Sequence, residues 1–410
     1  MNHRPICIDL FAGAGGMSLG FEQAGFDVAC AVEIDPVHCA VHKYNFPHTA
    51  VLCKSVVDVD GKSIREAAGI GRQRVAVVIG GSPCQGFSMI GKRSMDDPRN
   101  ALVGHFMRVV TDLEPDYFVL ENVRGLTVGR HREFLTEVVD GFMAAGYDVV
   151  LPWKVLNAAW HGVPQHRERL FLLGARHGLP LPSYPDRAFN KPGDRKAIDG
   201  LPFGPTVKDA LGDLPDAEGY RELLTQDSVR AQFGEASPYA AILRGLAVDP
   251  TDYSYRRPWS QGMLTSSARA DHTILTRARF TTTEPGTVEP VSRFLRLHPD
   301  GVCNTLRAGT GKERGAFTAA RPIHPWLPRC ITVREMARLH SYPDWFRFNW
   351  TKWHGAREVG NSVPPLLARA VGSSIAAAAG FRPAVPEGVL ELGNESLLRH
   401  DATSAAALFG

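Results

Sequence analysis

Five short stretches hold residue types that can do chemistry. Gly13, Gly15 and Gly16 lie in the run Phe11-Ala12-Gly13-Ala14-Gly15-Gly16, directly after the apolar stretch Pro5–Leu10. Glu33 closes a second apolar stretch 20 residues after Gly13. An acid placed there can accept hydrogen bonds from ribose hydroxyls, so loop and acid together suit an adenosine-type cofactor. The same glycines would also serve a plain tight strand–helix turn. The G-x-G-x-x-G dinucleotide pattern fails, because Ser18 stands where the third glycine belongs. Gly80–Ser88 carries Pro83-Cys84 at the end of a Val/Ile-rich run, and a thiol held there can act as a nucleophile once ionised. Glu121-Asn122-Val123 brings a carboxylate to the end of another such run. In Gln165-His166-Arg167-Glu168-Arg169, an extended backbone would turn Gln165, Arg167 and Arg169 to one side. Two arginines there suit internal ion pairs and ligand contacts equally.

These stretches need a scaffold that gathers them. Strand-like runs at Pro5–Leu10, Asp27–Val32, Thr49–Cys53, Arg74–Ile79, Tyr117–Leu120 and Leu170–Leu173 alternate with helix-like stretches at Met17–Ala24, Pro36–Phe46, Ala101–Leu113 and Arg130–Gly146. The alternation predicts an α/β fold with a doubly wound, mostly parallel sheet. Ligands of such sheets bind beyond the carboxyl ends of the strands, so one crevice can collect the loop, Glu33, Cys84 and Glu121. After Gly174 the pattern changes. Pro and Gly become frequent, and Arg256–Ala320 predicts a second, smaller domain of short strands and loops. Regular pattern returns at Ile331–Leu339 and in the Ala-rich helix Pro365–Ala379. The expected division is therefore 1–174, 175–326, 327–380 returning to the first domain, and a tail, 381–410, without assignable signal.

Composition narrows the classes. Over 410 residues, 44% hydrophobic content excludes disorder as the main state. No apolar run reaches the roughly 18–20 residues of a membrane span, and no signal-peptide pattern opens the sequence, which predicts a cytoplasmic protein. The net charge of +3 demands no polyanionic partner. From Thr251 to Cys330, however, 12 Lys/Arg face 6 Asp/Glu, and 11 of the 12 are Arg. This composition suits phosphate and guanine contacts, or an ordinary solvated face. Seven cysteines with no C-x-x-C pair predict neither a zinc knot nor a disulfide framework, and no metal is expected.

The residues together resemble the DNA (cytosine-5)-methyltransferase family. Asp9–Gly16 resembles its cofactor loop and Pro83-Cys84-Gln85 its nucleophile motif. Glu121-Asn122-Val123 and Gln165-x-Arg167-x-Arg169 resemble its base-binding motifs. Arg334-Glu335-x-x-Arg338-Leu339 with Pro343-Asp344, and Gly360-Asn361-Ser362-Val363-Pro364, resemble its last two blocks. All six fall in the family's order. The resemblance implies a Rossmann-like, class I fold using S-adenosylmethionine, with a target-recognition domain at 175–326. It implies that Phe11 stacks on the adenine, Gly13, Gly15 and Gly16 make room, Glu33 holds the ribose and Ile34 packs on the adenine. Val56, Pro83, Leu102, Asn361 and Ser362 match further cofactor contacts. Cys84 would attack C6 of a flipped-out cytosine, Glu121 would bind its N3/N4 edge, and Arg169, with Arg167 beside it, the ring near O2. Gln85–Asn100 matches a loop that closes over DNA. Gln85, Ser88, Arg99, Thr305 and Arg307 are the expected DNA contacts.

One departure concerns the adenine amino group. Many relatives hold it with an Asp after the third strand, where this chain has Ser55, then Val56, with Asp58 three residues on. The expected partner is double-stranded DNA, with a restriction endonuclease as functional counterpart and a monomeric enzyme. The rival readings are a transfer-RNA cytosine methyltransferase, a catalytically inactive DNA-binding regulator on the same fold, and a nicotinamide dehydrogenase. The long Arg-rich segment, the retained Cys84 and Glu121, and the broken glycine pattern stand against them in turn.

Overall fold

The computed structural model describes residues 4–82, 101–127, 129, 131–194, 196–309 and 321–410. Pro83, Cys84, Gln85, Ser88 and Arg99, and with them the expected closing loop, lie outside the described residues.

The first half alternates as the apolar runs require. In order come β1 (Ile6–Leu10), α1 (Gly16–Gln23), β2 (Asp27–Glu33), α2 (Pro36–Asn45), β3 (Ala50–Cys53), α3 (Gly61–Ala68), β4 (Val75–Gly81), α4 (Ala101–Leu113), β5 (Tyr117–Val123), α5 (His131–Ala144), β6 (Tyr147–Val149), β7 (Lys154–Asn157) and β8 (Glu168–Arg176). Local signals start the helices. Asp35 caps α2 through the Val37 N–H, with Pro36 in the first turn, and Asp60 and Ser63 form a capping box on α3.

The sheet order is β3-β2-β1-β4-β5-β8-β6, with β7 also on β8. β3, β2, β1, β4 and β5 are parallel. The Leu170–Leu173 run departs from that pattern: β8 runs antiparallel to β5, β6 and β7. The chain leaves α5 through the short β6 and β7 along one edge of β8. A parallel β8 would instead need a crossover helix. One face of the sheet packs Ile8, Leu10, Val32 and Val78 against Phe106, Val110, Phe118 and Phe142. The other packs Cys7, Val77, Ile79 and Val119 against Phe21, Leu367 and Val371. Burial on both faces explains why these strands read as continuous apolar runs.

Beyond β8 follow α6 (Val207–Leu211), β9 (Val229–Arg230), α7 (Pro238–Leu243), β10 (Met263–Leu264), α8 (Ile274–Thr282), α9 (Val333–Leu339), α10 (Lys352–Asn361), α11 (Pro365–Ala379) and α12 (Ala402–Phe409). The stretch 256–320, expected as short strands and loops, also forms a helix. Its described residues carry α8, the two-residue β10 and isolated bridges. Apolar packing crosses the expected 326/327 boundary: Val207, Leu211, Leu297 and Leu306 share a cluster with Ile331, Met336, Phe346 and Val359. α11 lies on α1 and returns the chain to the sheet. The tail has a place of its own. Gly393 N–H donates to Tyr44 O, Trp350 N–H donates to Leu398 O, and α12 packs on α2.

Candidate active site

A cavity of about 650 Å³ opens beyond the carboxyl ends of β1, β2, β4 and β5. From β1 and its turn come Asp9, Phe11, Gly13 and Gly16; from β2, Glu33, Ile34 and Asp35; from the β3 exit, Ser55 and Val56. Gly81 and Ser82, Leu102, Glu121 and Arg169 line another part. Arg357, Glu358, Asn361, Ser362 and Ala402 complete the wall. Of the expected cofactor residues that are described, only Gly15 is absent from this lining.

The glycines divide their work. Phe11 itself adopts φ 60° and Gly13 φ 55°, so the loop turns sharply at both. The Gly13 N–H donates to Glu33 Oε2 at 2.8 Å, while the Asp35 N–H donates to Oε1 at 2.8 Å. The Glu33 carboxylate thus staples the loop to the β2 exit and keeps spare lone pairs on both oxygens. Gly15 (φ 102°) serves packing instead, since a Cβ there would lie 2.5 Å from the Phe46 ring. At Gly16 a Cβ would lie 2.5 Å from Val363 O and 2.7 Å from the Tyr342 hydroxyl. That glycine therefore lets the Gly360–Pro364 segment close on the loop. Ser55 and Val56 line the cavity, whereas Asp58 is exposed and does not.

Glu121 and Arg169 form the charged part of the wall. Register places Val123 opposite Arg169 and Glu121 opposite Phe171, so the two side chains are diagonal neighbours on one face. Arg169 Nε meets Glu121 Oε1 at 2.8 Å. Burial pushes the Glu121 carboxyl above its ordinary value, with Arg169 and Arg167 opposing the rise. A Cβ at Gly81 would sit 2.6 Å from Glu121 Oε2, so a larger residue there would displace the carboxylate. Asn122 Nδ2 donates to Ser82 Oγ at 3.2 Å, tying β5 to the last described residue before Cys84.

Arg167 separates from Arg169. It is fully buried and does not line the cavity. Nη1 donates to Leu306 O at 2.8 Å, and Nη2 donates to Gly360 O and Ser362 O at 2.9 and 2.8 Å. The expected direct contact with the base is corrected accordingly: Arg167 ties the β8 entrance to the segments bearing Thr305 and Asn361. The Thr305 hydroxyl donates to His166 O at 2.7 Å, which seats its segment on the same entrance, and Arg307 is exposed.

Sequence reasoning missed Arg357, Glu358 and Ala402. The first two carried a usable signal, since they precede Asn361 by about one helical turn. Ala402 carried none. Among the described residues no group of three or more His, Cys, Asp or Glu could hold a metal ion, and no helix is long and apolar enough to cross a membrane.

The sequence model of the family described as C-5 cytosine-specific DNA methylase matches residues 6–377. The chain belongs to that family. It is a DNA cytosine-5 methyltransferase. It is 60% identical over 408 residues to the Type II methyltransferase M.XorII of Xanthomonas oryzae pv. oryzae, covering 99% of this chain and 93% of that protein. It is 34% identical to the Type II methyltransferase M1.HphI of Haemophilus parahaemolyticus, over 90% of this chain and 86% of that one. Among solved structures, a chain described as a prophage-encoded DNA modification methyltransferase (E. coli) superposes with a TM-score of 0.73 at 30% identity, covering 92% of this chain and all of that one. The S. pombe Dnmt2 methyltransferase shares the fold, with a TM-score of 0.55 at 17% identity over 92% of this chain and all of that one. The methyltransferase match ends at residue 377, so Ala402 and the rest of the docked tail lie beyond it.

Proposed function

We propose that this enzyme transfers the methyl group of S-adenosylmethionine to C5 of a cytosine turned out of a short, specific double-stranded DNA sequence, as the modification member of a Type II restriction–modification system. The pairing of Glu121 with Arg169 in the same cavity as Phe11 and Glu33 carries the reading. The similarity to M.XorII and M1.HphI supports the biological setting, with protection from a cognate endonuclease as its purpose.

The cavity residues fit the cofactor. Phe11, Val56, Leu102 and Ile34 offer apolar surface for a purine. Glu33 retains acceptor capacity for ribose hydroxyls, with Asn361 and Ser362 nearby. When bound, S-adenosylmethionine supplies an electrophilic methyl group, the broken S–CH3 bond leaving S-adenosylhomocysteine.

The protein's part follows from cytosine chemistry. C5 is a poor nucleophile. The Cys84 thiolate adds to C6, forming an S–C6 bond and pushing the C5=C6 electron pair toward C5. Glu121 holds a proton at N3, so negative charge does not build up on the ring, and its raised proton affinity suits that task. Arg169 keeps the carboxylate oriented and faces O2. Once C5 carries the methyl group, a base removes the C5 proton and the returning electron pair expels the Cys84 thiolate. A cytosine inside a duplex cannot reach this wall, so it is flipped out. Residues 175–326 serve as the target-recognition region, with Thr305, Arg307 and the loop bearing Gln85, Ser88 and Arg99 on the DNA.

The test offers tritiated S-adenosylmethionine with random-sequence duplex DNA and, separately, bulk transfer RNA, followed by base-resolution mapping. Label at C5 of cytosine within one short DNA motif is the expected result. Label confined to transfer RNA would overturn the substrate, and label in neither would overturn the transfer itself.

A further inference from the structure

Arg269, Arg321 and Lys352 form a group of cations short of counter-charge. The Ile323–Cys330 bridge is antiparallel and the Ile331 N–H donates to Pro322 O at 3.0 Å, so Arg321 lies beside Thr332 at the start of α9. Gly355 packs on Val333, since a Cβ there would lie 3.0 Å from Val333 Cγ1, which brings the start of α10 and Lys352 to the same place. The Lys352 ammonium donates to Arg269 O at 2.9 Å. All three residues are half-buried. Among the described residues no hydrogen bond or ion pair engages either guanidinium, and Arg269 Nε and Arg321 Nε are buried without a partner. The acids that act on the group are Glu335, already held by Arg329 through two bonds of 2.9 and 2.7 Å, and the exposed Asp271. Burial pushes Arg321 below its ordinary value, and Lys352 is lowered by burial and by Arg321 itself. Buried donors are normally paired and buried charges compensated, so this group marks where an anionic ligand completes the bonding.

We propose that Arg321, with Lys352 and Arg269, binds a phosphodiester of the DNA backbone several base pairs from the cytosine that enters the cavity. The proposal rests on the DNA-substrate reading above. A guanidinium is a planar donor fork matched to phosphate oxygens, and Lys352 adds a point charge beside it. Position supports the assignment. α10 begins at Lys352 and ends at Asn361 in the cavity wall. Its end packs on the segment bearing Arg307, since a Cβ at Gly360 would lie 2.5 Å from Arg307 C. The 10 residues of α10 span about 15 Å, the length of about four to five base pairs at about 3.4 Å each. A duplex with its cytosine in the cavity can therefore lay a phosphate of the same arm on this group.

The experiment measures DNA affinity by fluorescence anisotropy across a salt series for the wild type, Arg321→Gln, Arg321→Lys and the double variant Arg321→Gln with Lys352→Gln. Each is tested on a duplex carrying the methylated motif and on an unrelated duplex, and urea unfolding is followed without DNA. Arg321→Gln should weaken both duplexes roughly tenfold, the range of a hydrogen bond to a charged group. The factor should be the same for both, because phosphates carry no sequence. The salt slope should fall by about 1, and by about 2 in the double variant. Arg321→Lys, which keeps the charge and loses the fork, should lie between wild type and Arg321→Gln. The urea midpoint of Arg321→Gln should stay or rise, because an uncompensated cation is removed. A lower midpoint overturns the site, by making Arg321 a structural cation. A loss confined to the motif duplex also overturns it, by making Arg321 a reader of bases. If the wild type binds no duplex, the DNA reading falls and the site with it; if the wild type binds and the variants match it in affinity and slope, the site alone falls.

Discussion

Arginine meets different surroundings in the Arg-rich stretch 251–330 and at the cavity. In the Arg-rich stretch 251–330, Arg257 grips Glu22 with two bonds of 2.6 and 2.7 Å and lies over the Trp345 ring. Arg296 caps the end of α8 on the carbonyls of Phe280, Thr281 and Thr283. Arg329 holds Glu335 through two bonds of 2.9 and 2.7 Å. A region with little regular structure is thus held together by side-chain donors on backbone and carboxylate acceptors. Arg256, Arg293 and Arg307 remain exposed in that stretch. At the cavity Arg169 is likewise paired, with Glu121, whereas Arg357 lies over the Trp353 ring with no hydrogen bond or ion pair among the described residues. The charge excess read from composition is therefore partly internal scaffolding, and the availability of an arginine depends on its acceptors rather than on its neighbours in sequence.

The largest expected effect tests the site itself. Cys84→Ala should abolish methyl transfer while gel-shift affinity for DNA stays measurable, and retained turnover would sink the covalent step. Glu121→Gln should lower the single-turnover rate by roughly 10²-fold or more with little change in cofactor affinity. An engaged arginine comes next. Arg338 is fully buried between Asp344 (2.7 Å) and Asp213 (3.1 Å). Arg338→Met should cost about 3–5 kcal/mol in denaturant unfolding, because two buried carboxylates lose the cation that bridges them and keep only one each, Arg244 for Asp213 and Arg334 for Asp344. An exposed arginine should behave oppositely. Arg307→Ala should leave unfolding within about 0.5 kcal/mol while reducing the salt slope of DNA binding by about 1. If Arg307→Ala unfolds like Arg338→Met, the division drawn above is wrong.

The Glu358 carboxyl adds a pH dependence. Burial raises the Glu358 carboxyl to about 8 from an ordinary 4.5. Between those values the folded protein keeps a proton that the unfolded chain releases, so this group's contribution to stability falls as pH rises. Glu358→Gln cannot titrate. Urea midpoints should show the variant gaining on the wild type from about pH 5 to about pH 8, and a constant difference across that window would contradict a buried neutral carboxyl.

The strands and their glycine turn were legible because their signals are local: apolar runs, turn residues and a fixed acid spacing. The closing helix Pro365–Ala379 was read to the residue for the same reason. The roles of Arg167 and Arg169 were not separable. Both belong to one short stretch, but the carbonyls that occupy Arg167 come from residues 306, 360 and 362. Arg357 escaped because the helix before Gly360 was not recognised, although Thr351 caps it through the His354 N–H. The antiparallel β8 escaped because an apolar run does not reveal strand direction. Ala402 reaches the cavity through tertiary docking of the tail on α2, which no local pattern encodes.

The bonds around Arg167 also set an order of events. Its partners lie 139 to 195 residues away along the chain, and contacts that distant form late because loop closure must be met before they contribute. The central strands, paired through shorter separations, can assemble first. A refolding chain should therefore regain sheet circular dichroism before it regains affinity for the cofactor, which makes ligand binding a clock for the last stage of folding.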